Sequence, residues 1–438
     1  MHYTVLTLLR CRVKRKIYGI VVFSFVITVS PLLAQTHVDV IEVNGVVNPV
    51  ADKFISDAIR IAEDDGAQCL IIELDTPGGL MESMHSIKKN ILASDVPVVV
   101  FVSPGGARAA SAGVWVTLAS HVAAMTPGTH IGAAHPVTMG GGEMSEDVEQ
   151  KLVNDAVADI RSLAEKRGRN ADWAEAAVRQ SVSITEKEAL EEGVIDVISD
   201  DLRDLLGALD GREVQLAVGQ RILKTDGAEI RRIDMSLRYR ILDIISNPNV
   251  AYILLLLGFY GLFFELSNPG SILPGVVGGI CLILAFFALH TLPINYAGLL
   301  LILFALILFI AEIKVPSYGL LTVGGVISMI MGSIMLIKTP SEFLRISWMT
   351  IIPAVIVTVA FFVFAMGMAL RARLKKPTTG QEGLVGETGV AKSRLDPTGK
   401  VFVHGEFWNA VSDEPIEEGE EIIVSEVQRM KLKVSKHT

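Results

Sequence analysis

Residues 69–79 read Cys69-Leu70-Ile71-Ile72-Glu73-Leu74-Asp75-Thr76-Pro77-Gly78-Gly79, and this stretch decides the fold. Positions 69–74 are an almost unbroken apolar run of strand length, which suits a strand buried on both faces. The turn residues Asp75-Thr76-Pro77-Gly78-Gly79 end it, and a helix is read over 80–93. The same alternation extends outward. Residues 37–43 are strand-like, and in 49–65 Phe54, Ala58, Ile61 and Ala62 recur at helical spacing. Residues 96–102 form another strand. The small-residue loop Pro104-Gly105-Gly106-Ala107-Arg108-Ala109-Ala110 then leads into Ser111-Ala112-Gly113 and an apolar helix, with a further strand at 121–125. Strand, loop and helix in repetition predict an α/β domain over 36–225, with its chemistry at the carboxyl ends of the strands.

Two of these loops carry reactive possibilities. Gly78 and Gly79 lie between a strand and a helix, where backbone N–H groups are unpaired and no Cβ obstructs them. Such donors can line an oxyanion pocket, although a Pro-Gly-Gly loop also serves as a plain turn. Ser111 stands at a loop-to-helix junction among small residues. Its hydroxyl is either open to a substrate carbonyl or engaged as a helix N-cap.

The remainder of the 438 residues is not one kind of material. Mean hydropathy is +0.47, unusually positive for a soluble domain. Residues 1–35 hold five Lys/Arg and no acid, whereas 36–245 hold 20 basic and 34 acidic residues. Residues 246–370 carry three of each sign, and 371–438 carry eleven of each. Arg10, Arg12, Lys14, Arg15 and Lys16 followed by the apolar run 17–33 read as a signal peptide or signal anchor over 1–34. That places the acidic domain outside the cytoplasm. A juxtamembrane linker, 226–245, joins it to a transmembrane region, 246–370, with apolar runs near 250–266, 272–291, 294–313, 317–337 and 347–370. Each approaches the roughly 20 residues of a spanning helix, so four to five spans are expected; the first run is short and ends in Glu265. Asn268-Pro269-Gly270 and Leu273-Pro274-Gly275 read as a tight turn, and Glu265, Glu312 and Lys314 as interfacial charges. Arg371, Arg373, Lys375 and Lys376, in a basic linker over 371–382, put the C-terminal region in the cytoplasm if all five runs span. Beyond it, in 383–438, five short strand candidates (389–393, 399–404, 406–410, 421–427 and 432–434) suit a small barrel. Cys11, Cys69 and Cys281 offer no sensible disulfide pair. No metal or cofactor is called for. Nothing resembles a nucleic-acid binder.

Taken together, three motifs are far more specific than any one loop: Leu74-Asp75-Thr76-Pro77-Gly78-Gly79, Ala109-Ala110-Ser111-Ala112-Gly113, and Met125-Thr126-Pro127-Gly128-Thr129-His130-Ile131-Gly132-Ala133. They resemble the ClpP-like serine proteases, and more closely the NfeD family of membrane-bound serine peptidases, partners of stomatin-like proteins. The segment Gly399-Lys400-Val401-Phe402-Val403-His404-Gly405-Glu406-Phe407-Trp408 resembles the soluble NfeD domain, an OB-fold. The resemblance implies a ClpP/crotonase-like protease domain, an α-helical transmembrane bundle and an all-β OB-fold domain. It implies an endopeptidase with a Ser–Lys dyad that cuts apolar peptide segments of membrane-associated proteins. Ser111 takes the nucleophile position, and Lys151, 40 residues later, takes the base position. Gly78 or Gly79, with the Ala112 N–H, takes the oxyanion hole. A lysine amine, near 10.4 in water, must be desolvated to act as a base at neutral pH.

Lys151 also has an ordinary reading, since Asp147 and Asp155 are its i±4 neighbours beside the apolar face Val148, Leu152, Ala156, Ile160 and Leu163. His135 is the rival base or a substrate contact, in a position resembling that of the ClpP histidine. The run 138–145, with Gly140, Gly141 and Gly142, reads as a loop that orders over bound peptide or as a plain surface loop. The expected partners are a stomatin-like membrane protein, an apolar peptide substrate, the lipid bilayer and further copies of this chain, at least in a dimer. Two alternatives remain at this level: a non-enzymatic membrane scaffold for stomatin-like proteins, and a crotonase-like acyl-CoA enzyme, against which export and the Ser–Lys pairing speak.

Overall fold

The structure is a computed structural model that describes residues 36–437 except 138–144, 268–269, 271, 291, 293, 316, 340–343 and 375–380. The signal segment lies outside the described residues, as does the glycine-rich run apart from Ser145. Two compact units are present, Met1–Leu299 with Ser333–Thr350, and Leu300–Gly332 with Ile351–Thr438.

The first unit opens with β1 (His37–Asn44), α1 (Pro49–Asp64), β2 (Leu70–Asp75), α2 (Met81–Ala93), β3 (Val98–Val102), β4 (Arg108–Ala110), α3 (Ala112–Ala119), β5 (Val122–Met125) and β6 (His130–Gly132). It continues with α4 (Glu146–Lys166), α5 (Ala171–Arg179), β7 (Ser183–Thr185), α6 (Glu186–Glu191), β8 (Val197–Ile198), α7 (Leu202–Leu209), β9 (Glu213–Leu216), β10 (Gly219–Ile222) and β11 (Glu229–Arg232). Six strands form one parallel sheet in the order β11-β1-β2-β3-β5-β8. Its central strands are mostly apolar because both faces are covered. Leu70, Ile72 and Leu74 join one core with α1 to α5, while Cys69 and Ile71 join a second core with Leu205, Leu206 and Leu209 of α7. Asp39, buried in β1, takes a two-pronged ion pair from Arg231 of β11 at 2.7 and 2.8 Å, which secures that sheet edge.

One half-buried residue should make this unit sensitive to acid. His121 Nδ1 accepts a hydrogen bond from the Val98 N–H at 3.1 Å, and among the described residues its Nε2 has no partner. Burial, then the nearby Arg167 and Arg169, pull its pKa from 6.5 down to about 3. The folded state therefore holds it neutral while the unfolded chain protonates it. The stabilisation is complete above about 6.5 and is lost progressively as pH falls toward about 3. Denaturant titrations of the full chain in detergent should show a lower midpoint in mild acid than at neutral pH. His121→Asn, which keeps an acceptor for Val98, should flatten that dependence; an unchanged slope would exclude His121 as its source.

The helix α8 (Leu237–Ser246) follows, then α9 (Pro248–Ser267) and α10 (Ile272–His290). Leu273-Pro274-Gly275, read from sequence as a turn, instead lies inside the first turns of α10. Proline is tolerated there because the first helical N–H groups have no intrahelical acceptor to lose. The glycines serve packing: a Cβ on Gly261 would stand 2.4 Å from Pro274 O and 2.7 Å from Gly278 Cα, so α9 and α10 meet backbone to backbone. The first apolar run, shortest in sequence, is thus a continuous 20-residue helix.

Further apolar helices are α11 (Tyr296–Lys314), α12 (Leu320–Leu336) and α13 (Trp348–Leu374), followed by the short α14 (Gln381–Leu384). The stretches Pro248–Ser267, Ile272–His290 and Tyr296–Ile313 are long and apolar enough to cross a membrane, whereas Leu320–Leu336 and Trp348–Phe364 are shorter apolar stretches. Within the second unit Glu312 accepts hydrogen bonds from Ser317 Oγ at 2.6 Å, Gly319 N at 3.1 Å and Thr322 N at 3.0 Å. It thereby satisfies donors at the start of α12, a helix-capping role that explains a carboxylate at a segment end. The chain ends in β12 (Thr388–Ala391), β13 (Thr398–Val403), β14 (Glu406–Val411), β15 (Glu421–Gln428) and β16 (Lys431–Lys436), which close into a barrel in the order β12-β13-β14-β16-β15. Val401, Val403, Ala410, Ile422, Val424, Leu432 and Val434 fill its interior. This is the expected OB-type domain.

Candidate active site

At Ser111 the chain turns from β4 into α3 with φ 50° and ψ −115°, a conformation that a residue bearing a Cβ seldom adopts and that costs about 1–3 kcal/mol. Although Ser111 occupies the N-cap position, its side chain caps nothing. The hydroxyl is held half-buried on a sharp strand-to-helix elbow, the placement a nucleophile requires. Backbone bonds secure the elbow: the Ser111 N–H donates to Gly132 O at 3.2 Å, and Val114 N–H donates to Ser111 O at 3.0 Å. The third motif thus supports the second through Gly132.

The glycine pair divides its labour. A Cβ on Gly78, whose φ is +119°, would lie 2.6 Å from Ser111 Cβ and 3.1 Å from its Oγ. Gly78 is therefore the surface over which the serine side chain sits, and its N–H is already donated to Thr76 Oγ1 at 3.0 Å. Gly79 presses against Val47, where a Cβ would stand 2.1 Å from the carbonyl oxygen. Val47 N–H donates to Gly78 O at 2.9 Å and Leu80 N–H donates to Val47 O at 2.8 Å, which fixes the loop. Among the described residues the N–H groups of Gly79 and Ala112 meet no acceptor. Two unpaired backbone donors thus lie near Ser111, of the type that can stabilise a tetrahedral oxyanion.

Lys151 lies on an exposed face near the start of α4. Among the described residues its ammonium group has no hydrogen-bond or ion-pair partner, so the ladder with Asp147 and Asp155 is not formed, and no bond to Ser111 is made. His135 is half-buried with Nδ1 2.9 Å from Val178 O. A carbonyl only accepts, so Nδ1 carries the proton and Nε2 is the basic nitrogen. No hydrogen bond joins His135 to Ser111 among the described residues either.

Sequence reasoning missed the groups that hold α3 in place. Asp159 of α4 pairs with Lys88 of α2, with Oδ2 2.7 Å from Nζ, and accepts from Trp115 Nε1 of α3 at 3.0 Å. One carboxylate thus ties together the helix after the glycine loop, the helix after Ser111 and the helix carrying Lys151. At the other end of α3, the buried Arg169 donates to the carbonyls of Thr117, Leu118 and Ser120 at 3.2, 2.8 and 3.1 Å and to Asp196 at 2.7 Å. Arg167 adds a bond to Ala119 O at 2.9 Å. These cations satisfy the last carbonyls of a short helix and favour its dipole. A lysine beside the apolar positions Ile87 and Ile91 was the one available signal. A cavity of about 580 Å³, lined by Glu42, Glu73, Asp75, Asp200, Asp201 and Arg232 among others, does not include Ser111.

Comparison with known proteins agrees with this layout. The chain matches the NfeD1b N-terminal domain over residues 37–205, the NfeD integral membrane domain over 249–367, and the NfeD-like C-terminal, partner-binding domain over 381–436. It is 38% identical over 431 residues to membrane-bound protease PH1510 of Pyrococcus horikoshii, covering 96% of this chain and 97% of that protein. It is 27% identical over 378 residues to membrane protein NfeD1b of Bacillus subtilis, covering 82% and 83% of the two chains. A solved structure of the 1510-N membrane-bound stomatin-specific protease, a lysine-to-alanine mutant in complex with a substrate peptide, is 36% identical with a TM-score of 0.46, covering 49% of this chain and 99% of its own. With matches through all three regions and along nearly its whole length, the chain belongs to the NfeD family and is a membrane-bound serine protease.

Proposed function

We propose that Ser111 and Lys151 form a Ser–Lys dyad that hydrolyses peptide bonds in apolar segments of membrane-associated proteins. The observation that carries this reading is the strained elbow at Ser111, whose hydroxyl is left free of any capping bond. In the reaction, the Lys151 amine takes the hydroxyl proton as Oγ bonds to the carbonyl carbon, and the oxyanion is held by the Gly79 and Ala112 N–H groups. Collapse breaks the C–N bond, the amine leaves with the proton returned by Lys151, and water releases the acyl group by the reverse sequence. Gly78 contributes space rather than a donor. Apo geometry with an unengaged base is compatible with this role, because catalytic hydrogen bonds often tighten only around bound substrate.

The catalytic domain works outside the cytoplasm and the barrel inside it, with Arg371, Arg373, Lys375 and Lys376 on the inner face. The barrel engages a stomatin-like membrane partner, a role supported by the partner-binding description of the domain matched over 381–436. The protein acts as a homo-oligomer, at least a dimer. Treatment of the full chain in detergent with a fluorophosphonate is expected to give one adduct, located by mass spectrometry on Ser111. Ser111→Ala should abolish it. An adduct on another serine, or cleavage of an apolar peptide that persists in Ser111→Ala, would remove Ser111 from the nucleophile role.

A further inference from the structure

The helix α8 presents two unlike faces. Tyr239 packs against Phe54 with ring centroids 6.1 Å apart and bonds to Asp57, while Asp243 accepts from Asn48 Nδ2 at 2.8 Å. Ile245 and Ser246 are buried. The Tyr239–Asp243 side is docked on the catalytic domain. On the other side Leu237, Ile241 and Ile244, at the i, i+4, i+7 positions of one stripe, are 77%, 56% and 59% exposed. Helical geometry puts Arg238 and Arg240 on either flank of that stripe, both exposed. A single residue, Asn247, separates the end of α8 from Pro248, where the first membrane-crossing helix begins.

We infer that α8 is an interfacial helix whose apolar stripe is covered by the phospholipid leaflet on the catalytic-domain side. Continuity with the membrane span identifies the occupant: the stripe lies one residue before the bilayer-crossing segment starts, at the depth where headgroups meet acyl chains. The flanking arginines suit phosphate groups at that depth. An apolar stripe left in water beside a bilayer would have no such cover.

A consequence follows for the active site, and this part alone rests on the proposed role of the Gly78–Gly79 loop. Asn48, held by Asp243 of α8, caps α1 by accepting from Val50 N and Ala51 N. Its neighbour Val47 bonds to Gly78 O and Leu80 N. The lipid-facing helix is thus a few bonds from the loop beneath Ser111, and the nucleophile is held near the membrane surface, where the flanks of embedded segments emerge.

The test uses the full chain with Cys11 and Cys281 changed to serine and the buried Cys69 retained. An environment-sensitive fluorophore is attached at Ile241→Cys and, separately, at Leu237→Cys, in phosphatidylcholine–phosphatidylglycerol vesicles. Doxyl-labelled lipid should quench both several-fold more than the same probe at Glu191→Cys, an exposed position on α6. Quenching by aqueous iodide alone would show a free face, and quenching by neither would show a face covered by protein; either result overturns the inference. Because the readout is independent of cleavage, its failure is distinguishable from failure of the dyad.

Discussion

Lys151→Ala is expected to lower the rate of peptide cleavage by about 10²–10⁴-fold, the contribution of a positioned general base. Ser111→Ala should lower it at least as far, and the double variant should be no worse than the more damaging single one, because the two side chains act as a unit. The substitution at 151 is also clean. The side chain is exposed and has no partner among the described residues, so its loss should leave the unfolding midpoint unchanged. A fall in rate without a fall in stability would mark a chemical role, whereas a solvated surface lysine would show neither. His135→Ala is the discriminating control. Its Nδ1 is tied to Val178 O, and truncation should spare most of the activity. If Lys151→Ala cleaved normally and His135→Ala did not, His135 would be the base.

Asp159→Ala should destabilise the catalytic domain by about 3–5 kcal/mol, the loss seen when one member of a largely buried ion pair is removed. The physical reason is asymmetric. The Lys88 side chain is only 10% exposed and would be left without its carboxylate partner, and Trp115 N–H would lose its acceptor. The Asp159 side chain is 31% exposed, so water entering at that side tempers the loss toward the lower end of the range. Denaturant titration of the full chain in detergent measures it. Replacing both partners together, Lys88→Met with Asp159→Leu, should recover a large part of the loss, since an apolar pair leaves no stranded charge. A single-variant effect below about 1 kcal/mol would mean the pair is effectively solvated. Activity offers an independent reading. Asp159 braces α3 against α4, so the surviving folded fraction should cleave slowly, with the fault in kcat more than in KM.

Those two residues also show how far sequence can go. The paired strands around Leu70-Ile71-Ile72 were legible because a strand buried on both faces must be apolar at every position, a constraint visible in one dimension. The glycine loop left its mark in the sequence for the same kind of reason: a Cβ at position 78 would stand 2.6 Å from Ser111 Cβ, so only glycine fits there. The ends of strands and helices were less clear. Leu273-Pro274-Gly275 has turn composition but sits in a helix, because a proline in the first helical turn loses no hydrogen bond and Gly275 and Gly278 admit a close neighbour. The small sheet of β4, β6 and β7 draws three-residue strands from far-separated positions, too short for any periodicity to register.

Within the site, Asp159, Arg167 and Arg169 were invisible as α3 anchors because a charged residue on an amphipathic helix looks the same in sequence whether it meets water or a buried partner. The hydroxyl of Ser111 posed the same problem, since a serine before an apolar helix is an ordinary N-cap until φ shows otherwise. Sequence by itself determined the three regions, the α/β alternation and the apolar helices, because burial and backbone conformation restrict residue type locally. Tertiary structure alone decided which groups are free to react, which N–H is already donated, and which charges are joined across helices. Those are properties of pairs distant in the chain, created only when folding brings both members into contact.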